Sequence, residues 1–274
     1  EKGIFGQCNT GHIIKDKTIA GKYLDFWKIL VTDPTRAPLV KEVMNLQDDL
    51  AATQLPDDTI TVFFSPRSST TMLDVYAALI DGASEIACGI FPFNIDMRFQ
   101  NAFNKPKDFP RYVIVDKGHN SFEPNDEDLD VAVGAAIKNP VDQWLAERSS
   151  GNLFYGGTDY VHNKLLIVDP LGNNPVIVVG SANLSVPSTD QNDENMLVIK
   201  GTAYKREMDI YLTEFIRLFD HFNFRTWLNS DPGEFKPFLQ EAPLANGYFW
   251  VDKYFDSTDY LSYKRKVAFK NMVI

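Results

Sequence analysis

From Thr59 onward the chain alternates short apolar runs with amphipathic stretches. The runs TITVFFS (59–65), EIACGIFPF (85–93) and RYVIVD (111–116) are rich in β-branched and aromatic residues and read as strands. Between the first two lies MLDVYAALIDG, with Met72, Val75, Tyr76 and Leu79 on one face of a helix that stops at Gly82. Polar residues 66–71 precede it and are placed to cap its start. A short helix is expected near 95–104. NKLLIVD (163–169) and NPVIVVGS (174–181) are predicted as two arms of a hairpin joined by the turn PLGNN, and NMLVIKG (195–201) as a third strand. A long amphipathic helix, 203–222, carries Met208, Tyr211, Leu212, Phe215, Leu218, Phe219 and Phe222 on its apolar side. Before this block, 12–30 reads as a short strand and a helix, and 37–52 as a second helix ended by Pro56-Asp57-Asp58. SFEPNDEDLD (121–130) reads as an acidic surface loop without ordered calcium-ligand spacing. The tail has no clear period, and its aromatics are expected to pack over the core. The pattern predicts an α/β fold, a mixed β-sheet flanked by helices.

Composition narrows the classes. Over 274 residues the hydrophobic share is 44% and the aromatic share 13%, enough for a real core without metals or disulfides. Cys8 and Cys88 are the two cysteines, and neither a disulfide framework nor a zinc spacing can be built from them. The formal charge of -10 argues against holding nucleic acid by bulk attraction, and no stable nucleic-acid partner is expected. No apolar run is long enough to cross a membrane. The first residues, EKGIFGQCN, do not begin with Met and are not a signal peptide, so the chain is expected to be processed or cut from something longer.

The candidate chemistry gathers around YVHNKLLIVDP (160–170) and VVGSANLS (178–185). His162 and Lys164 are two apart, hence on one face of a strand. If the hairpin folds 162–169 against 176–182, Asn183 lies at the far end of the partner strand, and Glu194 heads the next one. An imidazole serves as nucleophile or proton carrier, and a carboxylate on its second nitrogen would fix the tautomer. Lys supplies a charge to phosphate oxygens, and the Asn amide donates to the same oxygens. Each residue alone has a bland reading as core, turn or solvated surface; their joint spacing brings phosphodiester chemistry level with those readings.

HNKLLIVD resembles the HxKxxxxD signature of the phospholipase D superfamily, GSANLS resembles its GSxN segment, and Glu194 follows Asn183 at a similar spacing to the family's histidine-orienting glutamate. The resemblance covers most of 59–222. It implies His162 as nucleophile or general acid, Lys164 and Asn183 as phosphate ligands, and Glu194 as orienter of the histidine. It also implies Asp169 as a mainly structural carboxylate and Ser181 and Ser185 as minor phosphate contacts. No cofactor or metal is implied.

One HxKxxxxD is present, so a second histidine must come from an N-terminal part of the same protein or from a homodimer partner, unless the chain is inactive. An internal echo between 11–30 and 194–219 favours the former. Residues 1–55 would then be the closing piece of a preceding, truncated half, and 56–274 a complete C-terminal half. Asn9 and His12 would face the shared cleft. Arg67, at a helix start, and His119 are further candidates for substrate contact. Tyr155, Gly156 and Gly157 precede the strand of His162, and the two glycines would let backbone approach the substrate. The expected function is cleavage of the distal phosphoester of a phospholipid at a membrane surface, with transphosphatidylation possible through a covalent phosphohistidine. The alternatives are a nuclease or other phosphodiesterase on the same scaffold, or a non-catalytic fragment. By family resemblance alone, a secreted or periplasmic location is favoured.

Overall fold

The computed structural model describes residues 7–116, 122, 128–133, 160–230, 255–258, 263, 266 and 267. A seven-stranded mixed sheet organises them. Its strands are β2 (Thr59–Phe64), β3 (Ala87–Phe91), β4 (Arg111–Val115), β5 (Leu129–Val133), β7 (Leu165–Val168), β8 (Val176–Gly180) and β9 (Asn195–Lys200), in spatial order β2-β9-β8-β7-β3-β4-β5. Every pair from β2 to β3 is antiparallel, whereas β3, β4 and β5 run parallel. A separate two-stranded parallel ribbon joins β1 (Gln7–Cys8) to β6 (Tyr160–Val161).

Both faces of the large sheet are covered, which is why its strands read as unbroken apolar runs. Along β2, Phe63 enters one core with Leu166, Val168, Val176, Val178 and Val198. Its neighbours Val62 and Phe64 enter the other, with Leu165, Ile167, Ile177, Val179 and Ile199. The first core is closed by α3 (Thr71–Asp81) and α4 (Met97–Asn104). The second is closed by α1 (Lys17–Val31), α2 (Arg36–Leu46) and the long α6 (Lys205–Ser230). The apolar side expected for that last helix, Met208 to Phe222, is buried. On α1, Phe26 stacks on Phe64 at 4.3 Å and Tyr23 meets the same ring edge-on at 5.0 Å. Residues 17–46 thus lie against the same sheet as the strands that follow them.

The α/β mixed sheet is as expected, and several local expectations are corrected. Residues 9–16 have no regular structure, so the expected strand at 12 is absent; Asp16 instead caps α1 by accepting from Ile19 N–H at 2.8 Å. The second helix ends at Leu46, because Gln47 is extended and Asp49 turns to bind Arg67 and Ser69. Thr70 sits at the N-cap of α3 without a side-chain cap; its hydroxyl accepts from Arg98 Nη2 at 3.0 Å. Leu129 and Asp130, expected in the acidic loop, open strand β5 on the sheet edge. A five-residue helix, α5 (Val186–Asp190), was not foreseen. In the tail, Phe255 is 69% exposed and lies under Lys266 Nζ, not on the core. Tyr263 is half-buried and also lies under Lys266 Nζ, at 4.9 Å, whereas the remaining aromatics after residue 230, His119 and residues 155–157 lie outside the described residues.

Candidate active site

Antiparallel pairing brings four strand ends to one rim: the start of β7, the end of β8, the start of β9 and the end of β3. His162, Asn163 and Lys164 form the non-strand step between β6 and β7, so the side-by-side strand geometry expected for His162 and Lys164 is replaced by a local bend. In that bend Lys164 Nζ donates to the carbonyl of His162 at 2.6 Å. Gly180 ends β8 where a Cβ would stand 2.1 Å from Asn195 O and 2.8 Å from Met196 Cα. Only glycine lets β9 come this close, and Ser181 follows directly. Its Oγ accepts from Asn195 N–H and Nδ2, both at 3.1 Å. Asn195 Oδ1 in turn accepts from Tyr23 Oη at 2.8 Å.

These groups surround a cavity of about 680 Å³. His162, Lys164, Ser181, Asn9 and His12 line it, with Ile14, Ile19, Val179 and Leu197 as apolar wall. His162 Nδ1 lies 3.1 Å from Asn9 Oδ1, and Phe93 meets the imidazole edge-on at 5.9 Å. His12 Nε2 is hydrogen-bonded to Tyr211 Oη, and the two rings stack.

The remaining expected site residues lie elsewhere. Asn183 is turned from the cavity into a small crevice with Phe63, Arg67 and Met72, because the chain tightens after Ser181 and Ser185 N–H bonds back to Asn183 O at 2.7 Å. Ser185 opens α5. The backbone carbonyl of Glu194 accepts from Ser65 N–H at 2.9 Å, and its carboxylate charge acts on Lys164. Arg67 is 2% exposed: its guanidinium donates to Asp49 Oδ1 at 2.7 Å, Gln47 O at 2.8 Å and Phe64 O at 3.1 Å. Those donors are committed inside the protein, away from the cavity. Asp169 stands at the opposite end of β7, bound to residues 84–86. Tyr23, Phe93 and Asn195 were not singled out in the sequence. Tyr23 and Phe93 read as generic core aromatics, but Asn195, adjoining Glu194 at a strand start, was findable.

The electrostatics suit anion chemistry. Burial pulls Lys164 down to about 8, with Glu194 opposing the shift. Burial, then the Lys164 charge, hold His162 below its ordinary value of 6.5, so the ring is neutral at neutral pH. If Lys164 binds phosphate and His162 attacks it, the first must be charged and the second neutral. The profile of kcat/KM against pH is therefore expected to rise through a limb below 6.5 and fall as pH climbs through about 8. Lys164→Arg should move the alkaline limb beyond about 10, because guanidinium does not deprotonate there. A pH–rate series on both forms checks this; an unmoved alkaline limb assigns it to another group.

Among the described residues no cluster of three or more His, Cys, Asp or Glu side chains could hold a metal ion. No helix among them is long and apolar enough to cross a membrane.

Residues 113–218, which contain His162, Lys164, Ser181, Asn183 and Glu194, match the family model described as cardiolipin synthase, PLD-like domain. This part of the chain is similar to phospholipase D-like domains. Solved structures similar to the chain include a phospholipase D family member, Nuc, from Salmonella typhimurium, at 16% identity over 59% of this chain and 94% of that one, TM-score 0.41. NucT from Helicobacter pylori is similar at 13% identity over 58% and 96%, TM-score 0.40. A phosphatidylserine synthase from Haemophilus influenzae is similar at 17% identity over 75% and 54%, TM-score 0.42. No curated protein matches the chain's sequence.

Proposed function

We propose that the chain is a phosphodiesterase that works through a covalent phosphohistidine on His162. The observation that carries this is the gathering of a neutral imidazole, a buried ammonium and a hydroxyl around one cavity at the sheet rim. With Nδ1 engaged, attack on phosphorus falls to Nε2. The Nε2–P bond forms as the P–O bond to the leaving alcohol breaks, and an acid group protonates the departing oxygen. Water then attacks phosphorus, gives up its proton to that same group, and displaces Nε2. Lys164 and Ser181 bind the phosphoryl oxygens in this scheme, and Asn183 and Glu194 join them if the crevice opens toward the cavity. The acid is a second His–Lys motif, from a further part of the polypeptide or a second copy of the chain.

A specific feature favours phospholipid among phosphodiesters. A second cavity of about 510 Å³, walled by Ile13, Leu165, Ile199, Ile210 and Leu218, shares Thr10, His12, Ile14 and Asn163 with the first. Together they offer a polar chamber and an adjoining apolar one. Release of choline from phosphatidylcholine vesicles and cleavage of single-stranded oligonucleotide, measured in parallel, separate the lipid reading from a nuclease. Cleavage of neither, nor of bis(p-nitrophenyl) phosphate, would sink the phosphodiesterase reading.

A further inference from the structure

The parallel pairing of β1 with β6 sets Gln7 opposite Tyr160 and Cys8 opposite Val161. Carried on by one step and then a second, that register sets Asn9 opposite His162 and Thr10 opposite Asn163. The side chains follow it: Asn9 Oδ1 lies 3.1 Å from His162 Nδ1, and Asn163 Nδ2 donates to Thr10 Oγ1 at 2.9 Å. Two consecutive cross-strand bonds fix the segment against the catalytic bend.

We infer that Asn9 is the positioning residue of His162: its amide oxygen accepts the Nδ1 proton and so keeps the Nε2 lone pair for phosphorus. This rests on the reading of His162 as nucleophile. The family resemblance implies the Glu194 carboxylate as orienter, and its charge acts on Lys164. An amide differs from a carboxylate in kind. Both select the tautomer, but only a carboxylate stabilises the positive charge on imidazolium. With an amide at Nδ1, the ring is oriented without being made more basic. The low pKa of His162 agrees with that arrangement. Among the described residues, the ionisable groups that line the cavity with the ring are Lys164, His12 and Tyr23, and Glu194 acts through Lys164. Each is present in every variant below, so the contrast isolates position 9.

Nitrogen-15 NMR of histidine-labelled protein, with His162→Ala for assignment, reads the tautomer and the titration directly. The expected result is a neutral His162 protonated at Nδ1, with Asn9→Ala shifting the population toward the Nε2–H form. Asn9→Ala should lower kcat about 10–100-fold with little change in KM. Asn9→Asp, close in shape, should raise the His162 pKa by about one unit or more. It should move the acid limb of kcat/KM to higher pH by the same amount, so that activity is lost first on the acid side. Nearly unchanged thermal melting of the Asp variant separates these effects from unfolding. An Nε2–H tautomer in the unsubstituted protein, as a flipped amide would produce, overturns the inference. So does a tautomer and titration unmoved in both variants. If His162→Ala keeps full activity, the nucleophile reading fails instead, while the tautomer measurement still decides the role of Asn9.

Discussion

Replacing His162 by alanine is expected to lower kcat on any phosphodiester substrate by about 10⁴-fold or more, on the scale seen when a covalent nucleophile is removed. The loss should fall on kcat, because in the proposed scheme Lys164 and Ser181, which line the same cavity, still bind the phosphoryl group. The imidazole is half-buried at the end of a bend, not in the core, so folding should survive. Quenching the unsubstituted enzyme during turnover of a slow substrate should leave acid-labile phosphorus on His162, and the variant should leave none. A variant that retains activity within tenfold, or a label that persists without the ring, would show that another group attacks phosphorus. Paired with the pH–rate series on Lys164, this distinguishes the roles of the two residues that the bend joins.

The largest effect on stability is expected at Asp169, far from the cavity. Its backbone takes a positive φ of 44° at the end of β7, so that the carboxylate turns back under the start of β3. There it accepts from Ser84 N–H at 2.9 Å and Ser84 Oγ at 3.0 Å, Glu85 N–H at 2.8 Å and Ile86 N–H at 3.0 Å. Its own N–H donates to Ile86 O at 2.9 Å. Asp169→Ala leaves those donors facing a void, at least one of them buried. The cost is about 3–5 kcal/mol, since hydrogen bonds to a charged group are the strong ones and a stranded buried donor keeps its desolvation penalty. For a chain of this size that corresponds to a fall in Tm of about 10 °C. Protein that remains folded should keep its kcat, which marks the residue as structural. A melting curve within about 2 °C of the unsubstituted protein would mean that the cradle is dispensable.

Much of this arrangement was legible in the sequence, and the parts that were not have physical reasons. Strands buried on both faces announce themselves as unbroken β-branched runs, so β2, β3, β4, β7, β8 and β9 were found. β5 was missed because LDVAV adjoins an acidic stretch and offers only a weak alternation. His162, Lys164 and Ser181, named from their local spacing, line one cavity. Asn9 was named only as a contact at the cleft, since its bond to His162 spans 153 positions and leaves no short-range trace. Arg67 misled because an arginine at a helix start looks like an anion site. What the sequence hid was the backbone break at Gln47 that brings Asp49 and the Gln47 carbonyl beneath it. Asn183 follows Ser181 by two, which suggests a shared face, but the chain has left the strand by then and the alternation no longer applies.

The two-residue ribbon between β1 and β6 carries a temporal consequence. The hairpin β7–β8 closes over a handful of residues and can form early, whereas Gln7 must find Tyr160 across most of the described chain. Loop closure of that span is entropically costly and adds little pairing in return. Folding is therefore expected in two stages: a consolidated sheet first, and the bond from Asn9 to His162 only when the leading segment docks.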